Sequence, residues 1–198
     1  MLEVSTRNIY CPALSALAVL AVHSGFEFRA ALVGGAVRDA YHGIEQGPLS
    51  DQDVAVFGAE ANAALPEIEE AMRNAGYTEK ARFSDSGEYA DGQIWLVVKY
   101  EHSRYPQVDL LFHPLADTIE DVLDTFDYNI NQFAAVYAEP EVNEVLTAYY
   151  HGRLTERLPG QQPLGVLQSN VPVDAARTAK MVRIADALGW AVPPSYRE

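Results

Sequence analysis

The sequence predicts an α+β fold: a small mixed β-sheet flanked by helices, followed by a short helical segment near the C-terminus. Nearly half of the 198 residues (48%) are apolar, which is enough to build one sizeable domain with a buried core. Strand-like and helix-like runs alternate along the chain, but without the regular strand–helix–strand repeat of a parallel sheet. The sequence has no internal repeat and no low-complexity tract, and its length allows one domain, or one domain plus an appendage.

The first predicted elements form a helix–strand–turn–helix unit. Residues 11–24 are mostly apolar and predict a core helix that a glycine ends. Residues 28–33 predict a short strand. Gly34 and Gly35 then turn the chain, and residues 36–41 predict a second helix.

The middle of the chain predicts a strand, a helix and a hairpin. Residues 49–57 predict a strand, in which alternate side chains share a face. Residues 65–75 predict a helix that ends at the following glycine. Residues 94–100 and 107–112 predict two strands, and the turn "SRYP" at 103–106 joins them as a hairpin.

The last third begins with a capped helix. Thr118 is predicted to cap a short helix, with Asp121 at the capping-box position. Residues 130–137 predict a strand, whereas residues 138–172 are poorly patterned and rich in Pro, Gly and Gln. Residues 172–188 predict a further helix, because a proline opens the run and a glycine follows its end.

The charge is strongly acidic and unevenly distributed. The formal net charge is −14. Residues 1–150 hold 8 basic and 24 acidic residues, a net charge of −16, whereas residues 151–198 hold 6 and 4, a net charge of +2. An acidic body disfavours broad binding to nucleic-acid phosphates, although acidity also simply favours solubility.

Cysteine usage and the apolar runs bear on the cellular setting. The single cysteine, Cys11, excludes an internal disulfide. With no signal-peptide pattern, this predicts a reducing, cytoplasmic location. The apolar run after Cys11 spans barely a dozen residues, which is too short to cross a bilayer, so no membrane partner is expected.

A pair of carboxylates points to a metal. Asp51 and Asp53 would lie on one face of the predicted strand, where they repel unless a divalent cation lies between them. Magnesium prefers carboxylates together with the oxygens of a polyphosphate. Asp109, in "VDLLF", is a candidate third carboxylate for the same metals. The simpler alternatives are an acidic, solvated strand face and an acid at the end of a strand.

The stretch "GGAVRD", residues 34–39, has the features of a phosphate-binding turn. Two glycines between a strand and a helix let backbone N–H groups approach phosphate closely, and the start of a helix favours an anion. Arg38 is placed to bind phosphate through its forked donors. The alternative is a tight turn with a surface arginine.

Three blocks, in order, resemble the polymerase-β-type nucleotidyltransferase superfamily, in the branch of bacterial poly(A) polymerases and class II CCA-adding tRNA nucleotidyltransferases. "LVGGAVRDAYHG…SDQDVAV" is similar to the family's GG-x-VRD turn followed by D-x-D on the next strand. "TIEDVLDTFDYNINQFAA", residues 118–135, resembles T-x-EEDL-x-RRDFT-x-NA. "VDAARTAKMVRIADALGW", residues 173–190, resembles the neck helix that begins EDxxR. The resemblance covers about residues 10–192 and implies a nucleotidyltransferase head followed by a short helical neck.

The resemblance also implies the site residues. Two magnesium ions, with manganese as an alternative, are expected on Asp51 and Asp53, with Asp109 as the further carboxylate. The implied nucleotide-binding residues are Gly34, Gly35, Arg38, Asp39, Asp127, Asn131, Asp174 and Arg177.

Different parts of the nucleotide are assigned to different members of that set. In the family, the residues that match Gly34, Gly35 and Arg38 contact the triphosphate, and Asp39 would orient the turn or the arginine. Asn131 matches the asparagine of the family's FT-x-NA stretch.

The sugar and base contacts are those in which this sequence departs from the family. Asp127 keeps the aspartate of the RRD motif, which contacts the ribose, but Thr125 and Phe126 replace its two arginines. Asp174 and Arg177 match the pair that reads the base edge, and being three residues apart they would share a helix face. The alternative for this pair is an ion pair on the surface of a helix. Valine replaces the glutamate at position 173.

The expected domains are a head at residues 1–138 and a linker with a neck-like helical segment at residues 139–198. The expected reaction is transfer of a nucleoside monophosphate from an NTP, with ATP or CTP favoured, to a hydroxyl acceptor such as an RNA 3′ end. Family enzymes continue with body and tail domains that hold tRNA, whereas this sequence ends at Glu198. Toxin-like transfer to a protein or another non-RNA acceptor, and a catalytically weak nucleotide-binding or interaction module, therefore stay open, as does the oligomeric state.

Overall fold

A computed structural model of the chain describes residues 2–6, 9–44, 51–84, 94–137, 146–150, 154–155 and 164–197. The helices are α1 (Pro12–His23), α2 (Gly35–Tyr41), α3 (Leu65–Asn74), α4 (Ile119–Asp124) and α5 (Ala175–Leu188). The strands are β1 (Leu2–Thr6), β2 (Arg29–Val33), β3 (Gln52–Phe57), β4 (Thr78–Ser84), β5 (Leu96–Glu101), β6 (Val108–His113), β7 (Phe133–Tyr137), β8 (Leu146–Tyr150), β9 (Leu154–Thr155) and β10 (Leu164–Gly165). The predicted α+β class is confirmed.

The main sheet is mixed and has eight strands, in the order β1-β8-β7-β2-β3-β6-β5-β4. β3 and β6 pair in parallel, and the other neighbours in this sheet pair antiparallel. β9 and β10 form a separate two-stranded ladder. No helix in the described ranges combines the length and the apolar character that a membrane span requires.

The central strands β3 and β6 are buried on both faces of the sheet, and the two faces differ. Val54 and Val56 of β3 belong to the larger core, which includes buried residues of α1, α3 and α5. Ala55 and Phe57 belong to a smaller core that Val122 and Leu123 of α4 help to form. Because side chains alternate along a strand, the residue at position 53 faces the α4 side of the sheet.

Strand direction gathers the predicted site at one edge. β3 and β6 both begin there, because they are parallel, and β2 ends there, because it runs antiparallel to β3. The chain leaves β2 at Val33, turns at Gly34 and enters α2. The glycine turn and the starts of two acidic strands therefore lie together.

Most predicted elements are present, with shifted ends. The capping box of Thr118 and Asp121 is formed as predicted. The helix predicted at 172–188 begins at Ala175, because the side chain of Asp174 accepts a hydrogen bond from the Arg177 backbone N–H and caps the helix at 2.7 Å. The strand predicted at 130–137 begins at residue 133, because residues 129–131 form a 3₁₀ turn.

Five strands were not predicted. β4 is exposed on both faces at the edge of the sheet and has no apolar alternation, so its sequence does not read as a strand. β8, β9 and β10 lie within the segment interpreted as poorly patterned, and β1 precedes the first predicted element. β8 lies beyond the predicted head boundary at residue 138 and joins the main sheet between β1 and β7. Positions 49 and 50 of the second predicted strand lie outside the described residues.

Candidate functional site

Charged side chains form a row across three neighbouring strands on the α4 face of the sheet. Asp53 of β3 is the register partner of Asp109 of β6, and Asp109 is the register partner of Lys99 of β5. Residues paired in this way project from the same face at the spacing of adjacent strands, about 5 Å. Lys99 Nζ lies 2.6 Å from Asp109 Oδ2. With the exposed Asp51, which precedes β3, these residues are called the acidic row below.

The pKa of Asp53 is raised to about 6, from an ordinary value of 3.8. Burial is the largest cause, because a carboxylate that loses water is less stable as an anion. The negative charges of Asp109 and Asp51 raise the pKa further, whereas Lys99 and Arg177 lower it. Asp53 is therefore a carboxylate whose ionised form a nearby cation would stabilise.

The carboxylates of Asp51 and Asp53 fit a divalent cation whose coordination a bound substrate would complete. Magnesium is commonly held by one or two carboxylates, with water and substrate phosphate oxygens in its other positions. Asp51 and Asp53 supply two carboxylates. Within the residues that the structure describes, no three Asp, Glu, His or Cys side chains are grouped to hold a metal ion. Asp109 is bound to Lys99, so its assignment as a further metal ligand stays a prediction.

Gly34 brings the backbone of the glycine turn against the acidic row. Its φ is +73°, a left-handed conformation that favours glycine. A Cβ at this position would lie 3.4 Å from Phe126 Cε1 and 3.5 Å from Asp53 Oδ2. The Gly34 N–H donates to the carbonyl of Phe133 at 2.8 Å. This N–H is therefore already hydrogen-bonded within the sheet. The N–H groups of the first turn of α2 have no acceptor within their own helix, so they are the predicted backbone contacts to phosphate.

Arg38 is buried and held in a fixed orientation. It is 7% exposed. Its Nε and Nη2 both lie 2.7 Å from Asp39 Oδ1, and its Nη1 donates to Asn131 Oδ1 at 2.9 Å. A Cβ on Gly35 would lie 3.3 Å from Arg38 Nη2, so the guanidinium is folded back beside the glycine turn. The prediction that Asp39 orients the arginine agrees with this geometry, and Asn131 has the same effect from the opposite side.

A second ion pair connects α5 to the segment that follows α4. Arg177 donates through Nε to Asp127 Oδ2 at 2.6 Å and through Nη2 to Asp127 Oδ1 at 3.0 Å. The hydrogen bond to Asp127 raises the pKa of Arg177, against the effect of burial. The pair is forked and half-buried, a geometry in which Arg–carboxylate bonds are strong and directional. The sequence predicted both residues as nucleotide contacts but not that they bind each other.

The backbone around Phe126 is fixed by the segment before α5. Asn170 Nδ2 donates to the Phe126 carbonyl at 2.8 Å, and the Asn170 N–H donates to the Asp127 carbonyl at 2.8 Å. Phe126 therefore presents its ring to Gly34 from a segment held at two consecutive carbonyls. The structure thus brings together the predicted residues of all three sequence blocks along one edge of the sheet.

Three contributors to the site were missed from the sequence. The sequence analysis did not single out Lys99 or Asn170, and it noted Phe126 only as a residue that replaces an arginine of the family's motif. The predicted hairpin turn at 103–106 places Lys99 opposite Leu110, one residue from its observed partner Asp109, so it indicated the neighbourhood of this pair but not its register. Asn170 lies in the segment without a pattern and left no comparable signal.

An apolar cavity of about 590 Å³ lies at the other end of the same strands. Arg29 at the start of β2 and Phe57 at the end of β3 contribute to it, whereas the acidic row lies at the opposite ends of these strands. Its other lining residues are Ala18, Ala21, Val22, Phe28, Ala30, Thr118, Ile119, Glu120, Val136 and Tyr137. The cavity and the acidic row are separate features.

Comparison with solved structures identifies the fold. A tRNA nucleotidyltransferase complexed with a primer tRNA and an incoming ATP analogue matches with a TM-score of 0.56 and 20% identity, over 91% of this chain and 47% of that chain. The Thermotoga maritima CCA-adding enzyme complexed with tRNA matches with a TM-score of 0.62 and 16% identity, over 100% of this chain and 44% of that chain. A CCA-adding enzyme in complex with CTP matches with a TM-score of 0.56 and 16% identity, over 98% and 43% of the two chains.

These matches show that the chain has the α+β fold of the nucleotidyltransferase head. The chain spans less than half the length of each of the three structures. No family model matches the sequence, and no curated protein matches it significantly. The comparison therefore shows the fold alone.

We expect substitution of Asp127 by asparagine to weaken the predicted nucleotide binding by roughly 10- to 150-fold, since charge-assisted hydrogen bonds contribute on the order of 1.5–3 kcal/mol and each 1.36 kcal/mol is about a factor of ten. The pair is partly exposed, so the free energy of unfolding should fall by no more than about 1 kcal/mol. Calorimetric titration with a non-hydrolysable NTP and chemical denaturation measure the two effects. Arg177→Lys is the matched control: it keeps the charge but loses the fork, so binding equal to that of the native chain would contradict a geometric role.

Proposed function

We propose that the chain is a magnesium-dependent nucleotidyltransferase that transfers a nucleoside monophosphate from an NTP to a hydroxyl acceptor. The observation that carries this proposal is the approach of the Asp53 carboxylate to the glycine turn, 3.5 Å from the Cβ position of Gly34. A phosphate at the start of α2 would then lie beside a carboxylate suited to a divalent cation. A strand–turn–helix corner with unrelated acidic neighbours would not require this close approach.

The proposed reaction is a substitution at phosphorus. The acceptor hydroxyl oxygen forms a bond to the α-phosphorus of the NTP, and the bond from that phosphorus to the oxygen bridging the α- and β-phosphates breaks. Pyrophosphate leaves with the electron pair of the broken bond, and the hydroxyl proton passes to solvent. Catalysis of this reaction requires positioning of the two substrates and stabilisation of negative charge.

The residues at the start of α2 would position the triphosphate. The backbone N–H groups of the first turn, beginning at Gly35, bind phosphate oxygens, and the direction of the helix favours their charge. Arg38 contributes a positive charge whose position is fixed by Asp39 and Asn131. Gly34 allows the turn that brings the start of α2 next to Asp53, because its φ of +73° is a left-handed conformation that favours glycine.

Asp51 and Asp53 would hold the cation. When bound, magnesium or manganese would lower the pKa of the acceptor hydroxyl and neutralise charge on the phosphates. The sequence led to an expectation of two such ions, with Asp109 as a third carboxylate. The chain's own part is to keep two carboxylates at the edge of the sheet, next to the glycine turn.

The nucleoside would lie towards α5. Asp127 is proposed to contact the sugar, and Asp174 and Arg177 the base. Arg177 uses Nε and Nη2 in its pair with Asp127, which leaves Nη1 outside the fork. Arginine donors beside a carboxylate acceptor complement an edge with an acceptor next to an amino group, which adenine and cytosine both present. ATP and CTP are therefore the favoured substrates.

The acceptor is proposed to be an RNA 3′ end, such as that of a tRNA. Two of the solved structures with this fold are complexed with tRNA, which supports an RNA acceptor. The acidic charge of residues 1–150 favours the alternative, a protein or another non-RNA acceptor, because phosphate-rich RNA would be repelled. A catalytically weak binding module is favoured by Thr125 and Phe126, which stand where the family has arginines.

We also propose a cytoplasmic location. Cys11, the single cysteine, is fully buried and caps α1 by accepting a hydrogen bond from the Leu14 N–H. Burial is the main cause that raises the pKa of its thiol to about 12, which keeps it protonated. A thiol used in this way is compatible with a reducing compartment.

The test is transfer of label from each of the four NTPs, labelled at the α-phosphate, in the presence of magnesium. Total RNA and total cell protein are supplied as separate acceptors. Label on RNA supports the proposal, and label on protein supports the alternative acceptor. Absence of transfer from every NTP, or equal transfer by the Asp51→Ala/Asp53→Ala double variant, would contradict both enzymatic functions.

A further inference from the structure

Lys99 is the basic residue bound directly within the acidic row. Its Nζ lies 2.6 Å from Asp109 Oδ2, and Asp109 is the register partner of Asp53. The Lys99 side chain is 40% exposed and that of Asp109 is 14% exposed, so the ammonium reaches the row from its open rim. The Lys99 ammonium is therefore held on Asp109, one strand away from Asp53, the carboxylate that approaches the glycine turn.

The two arginines of the site are bound to side chains outside the acidic row. Arg38 is bound by Asp39 and Asn131, and Arg177 is bound by Asp127. Neither makes a described ion pair with the acidic row, although Arg177 is close enough to lower the pKa of Asp53. Lys99 is thus the cation whose partner is itself one of the three carboxylates.

The local charges match one divalent cation. Asp51, Asp53 and Asp109 carry three negative charges when ionised, and Lys99 carries one positive charge. The row then has a net charge of −2, which a single divalent ion neutralises. An ammonium group is a compact point charge, so it can replace a small cation better than a planar guanidinium can.

We propose that Lys99 takes the place of a second divalent cation in the acidic row. The row binds one divalent ion through Asp51 and Asp53, while the Lys99 ammonium, held on Asp109, supplies the second positive charge. Asp109 is then a positioning residue for Lys99 and not a metal ligand. The role of Lys99 towards a triphosphate rests on the proposed function, but the number of ions bound does not.

The competing explanation is an ordinary cross-strand ion pair. Opposite charges facing each other on neighbouring strands stabilise a sheet by up to about 1 kcal/mol. Such a pair would affect stability, but removing it would leave the number of bound ions unchanged. Counting the ions therefore separates the two explanations.

The experiment measures binding of Mn²⁺ to the full chain by electron paramagnetic resonance, without nucleotide. We expect one Mn²⁺ per native chain and two per Lys99→Met chain, since the freed Asp109 carboxylate then joins the row. Lys99→Arg should bind one ion. Lys80→Met is the matched control: Lys80 is paired at 3.8 Å with Glu101 on the surface, and its loss should change nothing.

A second variant keeps the test valid if Lys99→Met does not fold, as judged by circular dichroism. Lys99→Met/Asp109→Asn neutralises both partners and should bind one Mn²⁺ at least as tightly as the native chain. Two ions on the native chain, one ion on Lys99→Met, or a tenfold loss of affinity in the double variant would each overturn the proposal. Because no nucleotide is present, these outcomes are independent of whether the chain transfers nucleotides.

Discussion

Replacement of Asp53 by asparagine is expected to reduce nucleotidyl transfer by about a thousand-fold or more. A bound metal contributes several kcal/mol of charge stabilisation in the transition state, and each 1.36 kcal/mol corresponds to about a factor of ten in rate. Asparagine keeps the size of the side chain but removes the charge that holds the cation. The rate of label transfer under saturating magnesium measures the effect.

The same substitution is expected to stabilise the fold near neutral pH in the absence of metal. The pKa of Asp53 is about 6 in the folded chain, above its ordinary value of 3.8. Between these values the folded state binds a proton that the unfolded state does not, so this residue makes stability fall as the pH rises from about 4 to 6. At pH 7, Asp53→Asn should raise the free energy of unfolding by on the order of 2 kcal/mol, because an uncompensated anion is removed.

Chemical denaturation at pH 4 and pH 7 in the presence of a chelator checks this expectation. The gain should be absent at pH 4, where Asp53 is protonated in the folded chain. Asp186→Asn is the control, since Asp186 forms a surface ion pair with Arg197 that is remote from the acidic row and is worth about 0–1 kcal/mol. A loss of stability in Asp53→Asn at pH 7 would contradict the assigned electrostatics.

The second large effect is expected at Gly165, where alanine should lower the free energy of unfolding by about 3 kcal/mol. A Cβ on Gly165 would overlap the ring of Trp190, which is buried and follows α5 directly. The backbone cannot move away easily, because the Gly165 carbonyl accepts a hydrogen bond from Ala191 at 3.0 Å. The clash would therefore displace the C-terminal end of α5, which is the opposite end from Arg177.

A double-mutant cycle checks this cause. Trp190→Leu removes the obstructing ring, so alanine at position 165 should cost less in that background than in the native chain. Gly25→Ala is the comparison for backbone strain alone, because Gly25 has a φ of +78° and no atom within 4 Å of the Cβ position. A cost at Gly165 no greater than that at Gly25 would contradict the packing argument.

The predictions that held depended on local patterns. The glycine turn, the first acidic strand and α5 were recognisable because apolar periodicity, glycines and caps are encoded within a few residues. The helix ends shifted where a side chain acted as a cap, as Asp174 does for α5. The exposed edge strand β4 was missed because a strand with no buried face leaves no alternation.

The contacts that define the site could not be predicted from the sequence, because they join segments that are far apart in the chain. The Gly34 N–H binds a carbonyl of β7, and Asp127 binds Arg177 of α5, 50 residues away. The first contact depends on strand order and the second on where α5 packs, and no local pattern specifies either. The sequence therefore singled out residues that the fold brings close together, but not which of them are paired with each other; their roles stay a prediction.

The most direct test of the central claim is a crystal structure of the chain with Mn²⁺ and a non-hydrolysable ATP or CTP analogue. We expect a triphosphate at the start of α2 beside Gly35, and the base towards Arg177. We also expect an anomalous Mn²⁺ peak about 2.2 Å from a carboxylate oxygen of Asp53. A nucleotide bound elsewhere, such as in the apolar cavity beside α1, or the absence of Mn²⁺ at Asp53, would contradict that claim.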